Sequence, residues 1–165
     1  MKNAIINRRS IRRFTDTTVA DHTIDEIIEM GTWAPSGLNN QPWKFAVISD
    51  KPVRDALSQQ TKYSRIIQNA PVCIAVFLDK KASYHREKDI QAIGACIQNM
   101  LLFIHSRGLG AVWLGEILNK RHKVESIIGV PESLELMAVI ALGHPDEQKK
   151  PGSRKSVADL IAVRI

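Results

Sequence analysis

Ala34-Pro35-Ser36-Gly37-Leu38-Asn39-Asn40-Gln41-Pro42-Trp43 is the stretch on which the reading of this 165-residue chain turns. Two prolines, a glycine and two asparagines within ten residues exclude a regular helix and a central strand. Helical periodicity precedes the segment, and the strand-like Trp43-Lys44-Phe45-Ala46-Val47-Ile48 follows it. Two readings stand at this point. One is a plain helix-to-strand connection, and the other is a rigid polar loop that meets a ligand.

The chain around it has the length of a single domain, spanning residues 1–165, and such a chain buries roughly 70% of its unfolded surface. With 44% hydrophobic and 24% charged residues, its composition is that of an ordinary globular protein. No run of about 18 apolar residues is present, and the first seven residues lack the apolar core of a signal peptide. A cytoplasmic location is the resulting expectation.

Cys73 and Cys96 form no CxxC and sit within apolar segments, which fits buried reduced thiols better than a disulfide. The five histidines form neither an HExxH pair nor a Cys/His cluster at metal spacing, so a metal site is not expected. Cys96 and His105 are nine residues apart, and at about 100° per residue they fall on opposite faces of one helix. That excludes them as a thiol–imidazole pair within that helix.

Working outward, residues 2–8 read as a short helix with Ile5 and Ile6 on its apolar side. A second helix begins near Asp21 or Thr23, either of which suits a cap, and ends within residues 31–35. Ile24, Ile27 and Ile28 form its apolar side, with Trp33 as a further candidate. Residues 43–48 are the first strand, and residues 50–60 hold a helix with Pro52 in its first turn. Residues 71–78 are apolar without alternation, as in a strand buried on both faces. The polar residues 79–86 suit a mobile loop over a site.

Residues 86–106 predict the longest helix, apolar around most of its circumference and closed by Gly108. Its cover comes either from the core of a monomer or in part from a second subunit. Gly108-Leu109-Gly110-Ala111-Val112-Trp113 departs from a dinucleotide fingerprint, since Trp113 replaces the third glycine and no strand precedes it. Gly115 leaves backbone open to close approach. A short basic helix over 119–128, a strand over 134–142 and a lysine- and proline-rich tail complete the chain, with residues 157–161 as a small apolar anchor. The plan is α+β, helix-rich around about four strands.

A net charge of +6 favours an anionic partner. Four cations and a hydroxyl concentrate in Arg8-Arg9-Ser10-Ile11-Arg12-Arg13-Phe14, where Ile11 and Phe14 are apolar pins to the body of the protein. Arginine forks match phosphate oxygens two bonds at a time. A solvated basic surface and a nucleic-acid arm are the other readings. The arm calls for more cations and exposed aromatics than this segment carries.

Five segments taken together resemble the nitroreductase family of flavin oxidoreductases, nearly end to end. These are residues 8–14, residues 34–43, Ala70-Pro71-Val72, the run from Gly108 to Gly115-Glu116, and Leu142-Gly143-His144-Pro145 followed by Arg154. The resemblance implies a mostly antiparallel central sheet of four to five strands flanked by helices, and an obligate homodimer with FMN at each of two subunit-interface sites. It assigns Arg8, Arg9, Ser10, Arg12 and Arg154 to the FMN phosphate and ribityl chain. Pro35, Ser36, Gly37 and Asn39 would reach the flavin of the other subunit. Leu114 and Gly115 would offer backbone N–H groups near flavin N5 and O4, with Glu116 beside them.

The implied reaction takes hydride from NADH or NADPH onto N5 and then reduces a nitroaromatic, quinone or similar acceptor, with ping-pong kinetics and no catalytic side chain. The insertions that cover the substrate side in many relatives have no counterpart here, which implies an open pocket. An FMN-binding storage or sensor protein is the alternative, with neither nucleic acid nor membrane as partner.

Overall fold

The computed structural model describes residues 2–148 and 151–165. Its helices are α1 (Lys2–Asn7), α2 (Asp21–Thr32), α3 (Lys51–Ser58), α4 (Ser64–Asn69), α5 (Arg86–Ser106), α6 (Arg121–Ile128) and α7 (Val157–Leu160). Its strands are β1 (Trp43–Ile48), β2 (Val72–Asp79), β3 (Gly110–Leu114) and β4 (Leu134–Gly143). The strands form one antiparallel sheet in the order β1-β2-β4-β3. A register shift between Val76 and Phe77 interrupts the β2–β4 pairing.

Apolar runs without alternation are commonest in parallel sheets, yet every pairing here is antiparallel. The run in β2 is explained by helices on both faces of the sheet. Ile74, Val76 and Leu78 pack into a core with Ile27 of α2 and Ile97, Met100 and Ile104 of α5. Cys73, Ala75 and Phe77 face the opposite core, with Leu57 of α3, Ile67 of α4 and Val124 of α6. Burying each large side chain of this kind contributes about 1.5–3 kcal/mol. That supply holds the central strands against the loss of chain entropy.

α5 lies across the first face, and its apolar girth is met by α2, β2 and β3 together. Gly108 ends it with φ 76°, a left-handed turn that glycine adopts without strain. Residues 8–14 run beside β3 rather than as a free arm. Ser10 bridges Ala111, Phe14 bridges Pro145, and Ile11 and Phe14 are both buried.

Several expectations need correction. α2 begins at Asp21, so Ala20 holds the cap position and no side chain caps the helix. Trp33 lies just past the end of α2 and is 77% exposed, because helical periodicity no longer governs its direction there. The basic helix starts at Arg121, after a single 3-10 segment over Glu116–Lys120. The tail forms α7 with a Ser156–Asp159 capping box, but Val157 and Leu160 lie exposed on the protomer and anchor nothing within it. No helix among the described residues is long and apolar enough to cross a membrane.

Candidate functional site

Two groups of predicted residues occupy separate places in the protomer. The first gathers around the segment beside β3. The Ile11 N–H donates to the Ala111 carbonyl at 3.0 Å, which fixes the backbone between the arginines. Arg9 Nη1 donates to the Ile6 and Arg8 carbonyls at 2.6 and 2.8 Å. The tail returns over this segment, so that a Cβ on Gly152 would lie 2.8 Å from the Arg9 guanidinium carbon.

Partial burial, then the charges of Arg154 and Arg9, lower the pKa of Arg8 below the usual guanidinium value. Neither Arg8 nor Arg154 pairs with a carboxylate among the described residues. Arg8 and Arg154, from the two ends of the chain, are thus brought together beside Arg9, and the repulsion between those two is relieved by no acid among the described residues. Such a donor set is shaped for a polyvalent anion.

Ser10 and Arg12 flank that cluster. Arg12 Nη1 reaches the Ser10 carbonyl at 3.4 Å, and the Arg12 and Arg13 backbone N–H groups both donate to Glu147 Oε1. At the end of β3, Leu114 is buried. Gly115 follows with φ −95°, a conformation open to any residue, and a Cβ there would meet nothing within 4 Å. The protomer therefore imposes no steric need for glycine at this position. Glu116, next in the chain, is braced by the connection between α3 and α4. Its carboxylate accepts from Thr61 Oγ1 at 2.5 Å and the Lys62 N–H at 3.2 Å, and those bonds, Thr61 foremost, hold its pKa below the usual carboxylate range.

The second group is the loop 34–43, a single irregular 3-10 turn over Gly37–Asn39. Leu38, Asn39 and Gln41 all have positive φ, at 55°, 54° and 46°. Left-handed backbone at a non-glycine residue costs about 1 kcal/mol or more, so the surrounding structure must impose it. Ser36 Oγ accepts from the Gln41 N–H at 3.0 Å, closing the turn. Asn40 Nδ2 donates to the Ala82 carbonyl at 3.0 Å and to Asp89 Oδ1 at 2.8 Å, tying the loop to the start of α5. The Asn39 side-chain amide makes no hydrogen bond among the described residues. Leu38 is 87% exposed.

Within residues 79–86, expected as a mobile loop, Ser83, Tyr84 and His85 are bound to that same carboxylate. Ser83 Oγ and the backbone N–H groups of Tyr84 and His85 donate to Asp89 Oδ2 at 2.7, 3.1 and 3.1 Å. Burial raises the Asp89 pKa, but these bonds and that from Asn40 outweigh it and hold the carboxyl below its ordinary value. The Tyr84 hydroxyl sits over Gly37, 1.9 Å from where a Cβ would stand. Pro35, Ser36, Gly37, Tyr84, Gln91 and Ala95 border a cavity of about 330 Å³.

Sequence reading names none of Asn40, Tyr84 and Asp89 as site residues. The signal available for Asp89 was an acid in a helix first turn just after Ser83, which reads as dipole stabilisation. None of the hydrogen bonds of Arg8, Ser10 and Arg12 reaches residues 34–43. No group of three or more His, Cys, Asp or Glu among the described residues is placed to hold a metal ion.

Comparison with known proteins follows the same outline. A family model described as the nitroreductase family matches residues 5–63 and 51–144. A protein of Archaeoglobus fulgidus provisionally named NADH dehydrogenase/NAD(P)H nitroreductase is 32% identical, over 88% of this chain and 85% of its own length. The NADH dehydrogenase of Thermus thermophilus is 29% identical, over 99% of this chain and 95% of its own. A provisionally named nitroreductase of Desulfovibrio desulfuricans, whose crystal structure was determined in complex with FMN, superposes with a TM-score of 0.94 at 46% identity. That match spans 99% of this chain and 96% of the other. With its four-stranded antiparallel sheet, its arginine-rich segment on β3 and its braced polar loop, the chain belongs to the nitroreductase family.

Proposed function

We propose that this chain is an FMN-dependent oxidoreductase, active as a homodimer, that takes reducing equivalents from NADH or NADPH and reduces nitroaromatic, quinone or similar electron-poor acceptors. Residues 1–165 act as one FMN-binding unit. The observation that carries the reading is the convergence of Arg8, Arg9 and Arg154 on one place, with no carboxylate partner for Arg8 or Arg154 among the described residues. The likeness to the FMN-complexed relative at 46% identity adds to it.

The residues present fit the group. Arg8, Arg9 and Arg154, with Ser10 and Arg12, would hold the phosphate and ribityl chain through charge-assisted hydrogen bonds. Leu114 and Gly115 would meet the ring edge through backbone, and the open space at Gly115 suits a group arriving from outside the protomer. Bound FMN would supply two-electron chemistry between the nicotinamide and the acceptor, with ping-pong kinetics as its signature. The protein's part is to orient and to shield, and no side chain is required as nucleophile, acid or base.

Pro35, Ser36, Gly37 and Asn39 would serve the flavin held mainly by the second subunit. The free Asn39 amide and the absence of bonds from Arg8, Ser10 and Arg12 to that loop support this division. Support for the dimer comes from the exposed apolar side chains of Trp33, Leu38, Val157, Leu160 and Val163. So much exposed apolar surface is unusual on a monomer.

Incubation of the purified protein with FMN, followed by gel filtration and absorbance, tests the proposal. A yellow dimer with one FMN per chain is expected. Protein that stays colourless after reconstitution refutes it.

A further inference from the structure

Asp89 is the buried group that the proposed chemistry leaves unused. Its side chain, 0% exposed at the first turn of α5, collects donors from two stretches distant in sequence. Asn40 Nδ2 approaches Oδ1 at 2.8 Å from the strained loop. Ser83 Oγ and the N–H groups of Tyr84 and His85 approach Oδ2 at 2.7 to 3.1 Å from the connection after β2.

Four donors on one side chain demand an ionised carboxylate. An asparagine would present an amide NH2 where acceptors are needed, leaving buried donors unmatched. An apolar residue would leave all four without an acceptor.

The consequence lies in where these bonds put Tyr84. Its backbone is held by Asp89, and its hydroxyl rests over Gly37 of the other stretch. The Lys88 ammonium lies over the same ring, 5.5 Å from its centre. Tyr84 thus lines the 330 Å³ cavity together with Pro35, Ser36 and Gly37, and its contact with Gly37 closes one edge of it. A cavity lined by an aromatic ring, a proline and small side chains, with Lys88 and Gln91 also bordering it as donors, suits a flat molecule that carries acceptor oxygens.

We infer that Asp89 is a positioning residue for the acceptor. By fixing Tyr84 against Gly37 it sets the width of the cavity that receives a quinone or nitroaromatic ring. The inference rests on the flavin reading and adds to it a determinant of acceptor binding outside the cofactor's own contacts. Asp89 acts through Tyr84 and touches neither flavin nor acceptor itself.

The test uses FMN-reconstituted protein, NADH or NADPH as donor, and p-benzoquinone and nitrobenzene as acceptor probes. Asp89→Asn, Tyr84→Ala and the double variant are compared with the unaltered chain. Asp89→Asn is expected to raise the acceptor KM about fivefold, the weight of one ordinary hydrogen bond, while FMN stays bound at one per chain. In the Tyr84→Ala background the same substitution is expected to change KM little, since the residue it positions is gone. Multiplying effects in the double variant would overturn the inference, as would loss of FMN with an unchanged KM.

Where Asp89→Asn fails to fold, Ser83→Ala removes one of the four donors and replaces it. A smaller rise in KM that vanishes in the Tyr84→Ala background supports the inference, and an unchanged KM overturns it. Failure of the unaltered reconstituted protein to be reduced by either nucleotide would instead sink the flavin reading, and this inference with it.

Discussion

The Ile11 N–H donates to the Ala111 carbonyl over 3.0 Å, and that bond seats the arginine-rich segment on the strand that ends at Leu114, just before Gly115. Ser10 bridges the same residue of β3. Cations that a sequence shows only as a cluster are thereby placed on the rigid edge of the sheet, with Arg154 brought back beside Arg8 from the far end of the chain.

Arg8→Ala removes an arginine that is partly buried and lies under the charges of Arg154 and Arg9. FMN affinity should fall by about 1.5–3 kcal/mol, roughly ten- to 150-fold. Because the same change removes repulsion among Arg8, Arg9 and Arg154, the apoprotein should unfold at an unchanged or slightly higher temperature. Fluorescence titration with FMN and thermal unfolding of the apoprotein check the two halves. Unaltered affinity would remove Arg8 from the phosphate site.

Gly37→Ala places a methyl group where the Tyr84 hydroxyl lies. The hydroxyl is the free end of a half-exposed side chain and can swing aside. Stability should therefore change by no more than about 0.5 kcal/mol, whereas acceptor KM should shift because the cavity wall has moved. Urea unfolding alongside steady-state kinetics separates the two. A loss of several kcal/mol with unchanged KM would show that Tyr84 is rigidly held and kinetically idle.

The pKa of Asp89 is lower in the folded protein than its unfolded value near 3.9. Its contribution to stability is therefore fully present above that value and is lost as pH falls through the lower folded pKa. The stability difference between the unaltered chain and Asp89→Asn should hold steady from neutral pH down to about 5 and narrow below about 4. Urea unfolding of both proteins across that range measures it. A gap that widens on acidification would contradict the assignment.

The elements of this fold were legible where local pattern decides. The bounds of β1 and α5 follow from residues 43–48 and 86–106 alone, because apolar spacing and Gly108 are local signals. The start of α2 near Asp21 was legible, but its cap was not, because Asp21 and Thr23 are both good caps in isolation while the backbone makes Ala20 the boundary. The candidate site divides along the same line. Arg8 to Arg13 announce themselves by charge, but Asp89 acquires its role from Asn40, 49 residues away. No periodicity or composition carries that pairing. The anchor expected at residues 157–161 fails within the protomer for a related reason, since an apolar run specifies burial but not the surface that provides it.

Burial pushes the Cys73 thiol up to about 12 against a smaller opposing pull from Arg54, and pushes Cys96 up to about 12 as well. Near pH 8 only about one thiol in ten thousand would be ionised. Both cysteines should resist alkylation by iodoacetamide in the native protein and react fully once it is unfolded, as mass spectrometry of the labelled chain would report. Rapid native labelling of either would show that the core around β2 or α5 opens.

The central claim is that this chain passes electrons through FMN rather than only holding it. Anaerobic mixing of FMN-reconstituted protein with NADH, and separately with NADPH, tests it most directly by following flavin absorbance. Bleaching with at least one nucleotide, reversed when p-benzoquinone is added, is the predicted result. A yellow protein that neither nucleotide bleaches would contradict the claim and leave a chain that stores or senses FMN.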